Sequence, residues 1–212
     1  MAAGNKIFDL RKLLAERFPE TPFARGSLLR TGLPGIDDVI GGGLPRGAIT
    51  ELISPRPSAG SASLIYALLQ TAARERYFIA LVDGRDSFDP QPLGNSALRN
   101  LLWVRCRKAV EAVKAADLLL RDGNFPLVIV DLVLNTPQDL KIPATNWYRL
   151  QRLVETAPAA CLVLTRQSMI SSAQLKIVLG NSCRLNAFAE DDAVSQLRVH
   201  IQRSHLQHAM KA

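Results

Sequence analysis

Along the chain, short runs of uninterrupted apolar residues alternate with longer stretches whose apolar positions recur every three or four residues. The first such stretch is 5–18, where Ile7, Leu10, Leu14 and Phe18 share one helical face with Leu13 beside them. Lys6, Arg11, Lys12 and Glu16 fall elsewhere and Asn5 stands at the capping position, so the spacing predicts an amphipathic helix. Two prolines and a glycine within 19–29 mark a connector. The pattern then predicts a short helix at 34–40, a glycine-rich break at 41–47, a strand at 48–53, a turn-rich loop at 54–60 and a helix at 61–76. Strands at 78–82, 101–106, 127–130 and 161–164 alternate with helices at 108–121 and 145–156. From about 175 to 202 the alternation suits antiparallel strands, notably Leu197-Arg198-Val199-His200-Ile201.

Strands separated by helices of a dozen or so residues indicate right-handed crossovers and a mainly parallel sheet. The central strands lack two-residue alternation because helices cover both faces of such a sheet. The expected organisation is one α/β domain at 28–212, with a helical arm and connector at 1–27. At 48% apolar and 21% charged residues the composition is that of a folded protein. The longest apolar runs, 126–130 and 157–164, are strand-sized and well short of the ~18–20 residues of a membrane span. Charges at Lys6, Asp9, Arg11 and Lys12 leave no apolar signal core, so a cytoplasmic protein without membrane contact is expected. Three cysteines without a CxxC pair support neither a disulfide framework nor a zinc clamp. The net charge of +7 rests on nineteen arginines against seven lysines. That balance suits a polyanion or an acidic protein partner, or simply a solvated surface.

In an open parallel sheet, ligands bind at the carboxyl ends of the strands, which here are 54–60, 83–86, Asp131 and 165–167. The loop at 54–60 has the position and length of a phosphate-binding P-loop, G-x-x-x-x-G-K-[ST]. Aligned without gaps, Ser54 and Ala59 replace the glycines, Gly60 replaces the lysine and Ser61 supplies the hydroxyl. Shifted by one, Gly60 becomes the second glycine and Ser61 takes the lysine position. Lysine is missing in both frames, and Pro55 and Pro57 bring no amide hydrogens to a phosphate cradle. Ser54, Gly60, Ser61 and Asp131 thus outline a degenerate nucleotide pocket, in which Arg56 is the nearest substitute cation. Asp131 reads either as a metal-bridging carboxylate or as a strand-end residue capping a turn. Asp83 and Asp86, with Arg85 between them, read as a salt-bridged turn rather than a catalytic pair. Arg46, Arg56 and Arg166 are candidates for DNA phosphates, Phe18 and Phe23 for a partner-binding segment. His200, His205 and His208 read as a basic tail rather than a metal site.

Several segments carry a family resemblance. Thr31-Gly32-Leu33-Pro34-Gly35-Ile36-Asp37, the run Gly41-Gly42-Gly43-Leu44-Pro45-Arg46-Gly47 and Thr50-Glu51-Leu52 resemble the entry to the ATPase core of RecA-type recombinases. Asp83 to Asp86 with Phe88-Asp89-Pro90 resembles that family's second-strand segment, and Val128-Ile129-Val130-Asp131 its Walker B strand. The resemblance, over roughly 28–205, implies a RecA-like three-layer fold with a mainly parallel central sheet and antiparallel C-terminal strands. It also implies that Arg85 stands where recombinases carry the acid that orients water, and that their sensor glutamine falls near Arg166 or Gln167. Within the superfamily, Gly42 to Ala48, Leu101-Leu102-Trp103-Val104-Arg105-Cys106 and Leu162-Val163-Leu164-Thr165 are similar to the ImuA group of mutagenesis accessory proteins. That similarity implies a non-catalytic adaptor in DNA-damage-induced translesion synthesis, within the SOS response. Its implied partners are an inactive Y-family polymerase homologue and an error-prone C-family polymerase, with a RecA recombinase and weak DNA contact left open. No catalytic residue and no cofactor is expected, ATP and magnesium being the ones to test. The alternatives are an active DNA-dependent ATPase and a nucleotide-independent module for single-stranded DNA.

Overall fold

A seven-stranded sheet runs through the molecule, with helices packed on both of its faces. The computed structural model describes residues 27–56, 60–91, 95–180 and 199–204. The expected helix at 5–18, and Phe18 and Phe23 with it, lie outside the described residues, as do Pro57, His205 and His208. In chain order the strands are β1 (Leu28–Leu29), β2 (Leu44–Pro45), β3 (Ile49–Ile53), β4 (Ile79–Asp83), β5 (Leu101–Arg105), β6 (Leu127–Asp131), β7 (Ala160–Thr165), β8 (Leu175–Leu179) and β9 (Val199–Ser204). The helices are α1 (Pro34–Val39), α2 (Ser61–Glu75), α3 (Asn95–Leu98), α4 (Ala109–Asp122) and α5 (Ala144–Thr156).

The sheet order is β5-β4-β6-β7-β3-β8-β9. Its first six strands are parallel and β9 runs antiparallel to β8. Of the two strands expected to form an antiparallel tail, β8 therefore also extends the parallel sheet by pairing with β3. Alternation within each strand divides the core in two. Leu52, Leu81, Ile129 and Leu164 pack against Leu64, Leu68 and Ala72 of α2. Val82, Val130 and Val163 pack against Ala112 and Ala116 of α4 and Trp147 of α5. With both faces covered, β3, β4 and β7 are buried along their whole length, which is why they lack polar–apolar alternation and, apart from Thr50 and Glu51 of β3 and the end residues Asp83 and Thr165, are apolar.

Two features escape the sequence pattern. The apolar run at 101–106 is an edge strand, with Leu102 40% exposed. β1 and β2 form a separate antiparallel pair that folds the glycine-rich break back over the chain. There Gly43 has φ +148°, and a Cβ would lie 2.4 Å from the Leu29 carbonyl oxygen, so glycine is required.

Candidate functional site

Parallel strands bring Ser54, Asp83, Asp131 and Thr165 to one edge of the sheet. The Ser54 amide donates to the Thr165 carbonyl at 2.7 Å and the Leu132 amide to the Leu164 carbonyl at 3.0 Å, so the ends of β3, β7 and β6 form one row. Strands ~4.8 Å apart place Asp131 on the order of 10 Å from Ser54. Asp83 and Asp131 follow Leu81 and Ile129 by two residues and so lie on the face covered by α2, beside the loop that leads into that helix.

The start of α2 decides between the two P-loop frames. Gly60 is its N-cap, left-handed at φ 103°, and its carbonyl accepts from the Leu64 amide at 2.9 Å. A glycine immediately before the helix corresponds to the second glycine of the P-loop pattern. Ser61 therefore stands at the lysine position and Ala62 at the hydroxyl position, so Ser61 is not the magnesium-binding hydroxyl of the ungapped frame. Ser54 is buried with no hydrogen-bond partner for its Oγ among the described residues, while Arg56 is exposed.

Asp131 caps a turn: its Oδ1 accepts from the Val133 amide at 3.0 Å. Burial pushes its carboxyl up to about 6, the Asp83 charge adds to that shift, and the Val133 N–H opposes it. No salt bridge among the described residues compensates its charge. Asp83 is fully used in folding the loop after β4. Its Oδ2 accepts from the amides of Ser87 (2.7 Å) and Phe88 (2.8 Å), and its Oδ1 from the Arg85 amide (3.2 Å). The expected salt-bridged turn is differently wired: Asp86 pairs with Arg105 (2.7 Å from Nη2) and Arg85 with Asp139 (3.6 Å). Arg105 also lies over the Trp103 ring, 5.1 Å from its centre, which draws this turn onto the edge strand.

These groups do not fit a magnesium triphosphate. No lysine stands at 54–61 of the sequence, the magnesium hydroxyl position holds Ala62, and Asp131 has Oδ1 committed to a turn.

No protein-family model matches the chain. RecA of Ectopseudomonas oleovorans is 32% identical over 131 residues, covering 54% of this chain and 37% of that protein. RecA of Gluconobacter oxydans (strain 621H) is 31% identical over 121 residues, covering 55% and 34% respectively. RecA of Chlorobaculum parvum (strain DSM 263 / NCIMB 8327) is 31% identical over 132 residues, covering 54% and 38%. The fold is RecA-like. The chain spans 34–38% of the length of these curated relatives, and the similarity supports a place in the RecA-like superfamily.

The three candidate arginines of this RecA-like core part company. Arg56 and Arg166 lie at the carboxyl edge, and Arg166 Nε donates to the Val133 carbonyl at 3.1 Å across the loop after β6. Arg46 does not join them. It precedes β3 and so sits at the amino end of that strand, 7% exposed, with Nη1 donating to the Pro158 carbonyl at 2.9 Å. His200 is exposed on β9, and no cluster of metal-binding side chains occurs among the described residues. Nor is any helix among them long and apolar enough to cross a membrane.

Sequence reasoning missed one polar centre of the RecA-like sheet. Glu51 and Lys176 are cross-strand neighbours of β3 and β8, facing away from α2, with Nζ 2.8 Å from Oε2. Glu51 is fully buried, and its Oε1 accepts from the amides of Met169 (2.7 Å) and Ile170 (3.1 Å) in the loop after β7. Lys176 also donates to Ser168 Oγ at 2.7 Å. The signal available was one opposite charge in each of two apolar strands, which becomes a pair only once the strand order is known.

Proposed function

We propose that the chain is a non-catalytic RecA-fold accessory protein of mutagenic DNA repair, closest in character to the ImuA group. In this reading it works through protein contacts during DNA-damage-induced translesion synthesis. Its partners are an inactive Y-family polymerase homologue and an error-prone C-family polymerase. The observation that carries the reading is the start of α2, where a P-loop-like Gly60 is followed by Ser61 and Ala62 in place of lysine and hydroxyl. Two further features support it. Arg85 occupies the place of the water-orienting acid and is turned toward Asp139. Asp131 Oδ1 is taken up by the Val133 amide in a turn. A cation at position 85 neither accepts a proton nor polarises an attacking water.

The kinship to RecA proteins supports a setting in DNA repair, and the losses at the pocket support a scaffold rather than a motor. Calorimetric titration with ATP and magnesium, together with a phosphate-release assay with and without single-stranded DNA, tests it. No heat of binding and no turnover above blank is expected. Micromolar affinity with DNA-stimulated hydrolysis would overturn the reading and favour an active ATPase.

A further inference from the structure

On the sheet face opposite the degenerate pocket, two hollows open between α4 and α5. One, of about 340 Å³, has an apolar floor of Val113 and Leu150 and is bordered by Leu118 and Lys114. The other, of about 600 Å³, is bordered by Arg121, Tyr148 and Arg152. Arg149 lines both, so the two hollows neighbour each other along the groove between the helices.

Three properties of this groove point the same way. Leu118 and Tyr148 are 67% and 50% exposed, a large apolar and a large aromatic side chain left in water beside an apolar floor. Arg149 and Arg121 are held in place by Asp117, which accepts from Arg149 Nε at 2.7 Å and from Arg121 Nε at 2.8 Å. Their outward N–H groups are thus oriented before any ligand arrives, which lowers the ordering cost of binding. Finally, Lys114, Arg121, Arg149 and Arg152 face a single acid, Asp117, in the lining. Beyond the lining, Glu111, Asp122 and Glu155 bring the two helices back to charge balance. A polyphosphate backbone needs an extended positive field. A local excess of cations around an apolar floor suits a short acidic segment instead.

We propose that the α4–α5 groove docks a short acidic peptide segment of a partner protein. An apolar side chain of the peptide seats against Val113, Leu118 and Leu150, and its carboxylates meet Arg149 and Arg152 in charge-assisted hydrogen bonds. The groove lies on the sheet face opposite α2 and the loop that leads into it, so the proposal holds whether or not nucleotide binds there.

The test pans the full chain against a display library of short linear peptides, then titrates the enriched peptides, fluorescein-labelled, by fluorescence polarisation. Enriched peptides are expected to carry acidic residues flanking a leucine or an aromatic residue. Leu118→Glu and Arg152→Glu are each expected to weaken binding at least about tenfold. Arg99→Glu, an exposed charge change in the turn between α3 and β5 and outside the groove lining, should leave it unchanged. All three positions are exposed, and Tyr148→Ser serves as a further variant if a thermal melt shows either groove variant unfolded. Absence of enrichment, enrichment of peptides without carboxylates, or binding indifferent to the groove substitutions would overturn the proposal. So would a labelled single-stranded oligonucleotide that binds more tightly than the peptides and is lost in Arg152→Glu.

Discussion

Asp131→Asn is expected to make the protein more stable at neutral pH. The wild-type carboxyl is raised from 3.8 to about 6, first by burial and then by the neighbouring charge of Asp83. Between about pH 4 and 6 the folded state therefore binds more protons than the unfolded chain, and this group's contribution to stability falls as pH rises through that window. Above it, the ionised carboxylate destabilises the fold by up to about 3 kcal/mol. Asparagine removes the charge and keeps an oxygen to accept from the Val133 amide, so the turn survives. Some of the gain is lost because the new amide nitrogen replaces an oxygen in a partly buried place, which leaves a net of about 1–2 kcal/mol. For a chain of this size that corresponds to a rise in melting temperature of about 2–8 °C. Urea denaturation of both proteins, at about pH 7.5 and about pH 4, isolates the effect because every other titrating group is shared. A variant no more stable than wild type at pH 7.5, or a gap that persists at pH 4, would refute the assignment of Asp131 as an uncompensated buried acid.

Lys176→Met leaves Glu51 buried without its cation and should cost about 3–5 kcal/mol in urea unfolding. Adding Glu51→Gln to it should cost less than the two single losses together, because Gln keeps the oxygen that accepts from Met169 and Ile170. Gly43→Ala places a Cβ 2.4 Å from the Leu29 carbonyl oxygen at φ +148°, and should lower stability by at least about 2 kcal/mol in the same assay. Burial raises the Asp117 carboxyl, but hydrogen bonds from Arg121 and Arg149 outweigh it and hold the group below its ordinary value. Its contribution is thus present above the ordinary carboxylate range and lost as pH falls. Asp117→Asn should lower the melting temperature at neutral pH, and acidification should close the gap to wild type.

The parallel core was legible because helices on both faces force strands such as Leu127–Asp131 to be apolar up to their last residue, whichever neighbour each acquires. Strand order was not, since nothing in the run at 101–106 says that it lies at an edge. The edge nonetheless shows in its burial, with Leu102 exposed and Trp103 only partly covered. The loss of the P-loop lysine could be read directly, but only the left-handed Gly60 ahead of α2 fixed the frame and moved Ser61 off the hydroxyl position. Arg46 was misplaced for a reason the sequence did contain. A residue that precedes a strand lies at its amino end, whereas ligands gather at the carboxyl ends. The pair of Glu51 and Lys176 depended on a contact between residues far apart in the chain, and no local pattern encodes that.

Met169 and Ile170 lie in a connection between strands, yet both amides are held by a carboxylate sealed from water. Their protons can exchange with solvent only when β3, β7 and β8 separate, so they should be protected as strongly as the strands themselves. The turn after β7 then opens with the sheet as one cooperative unit.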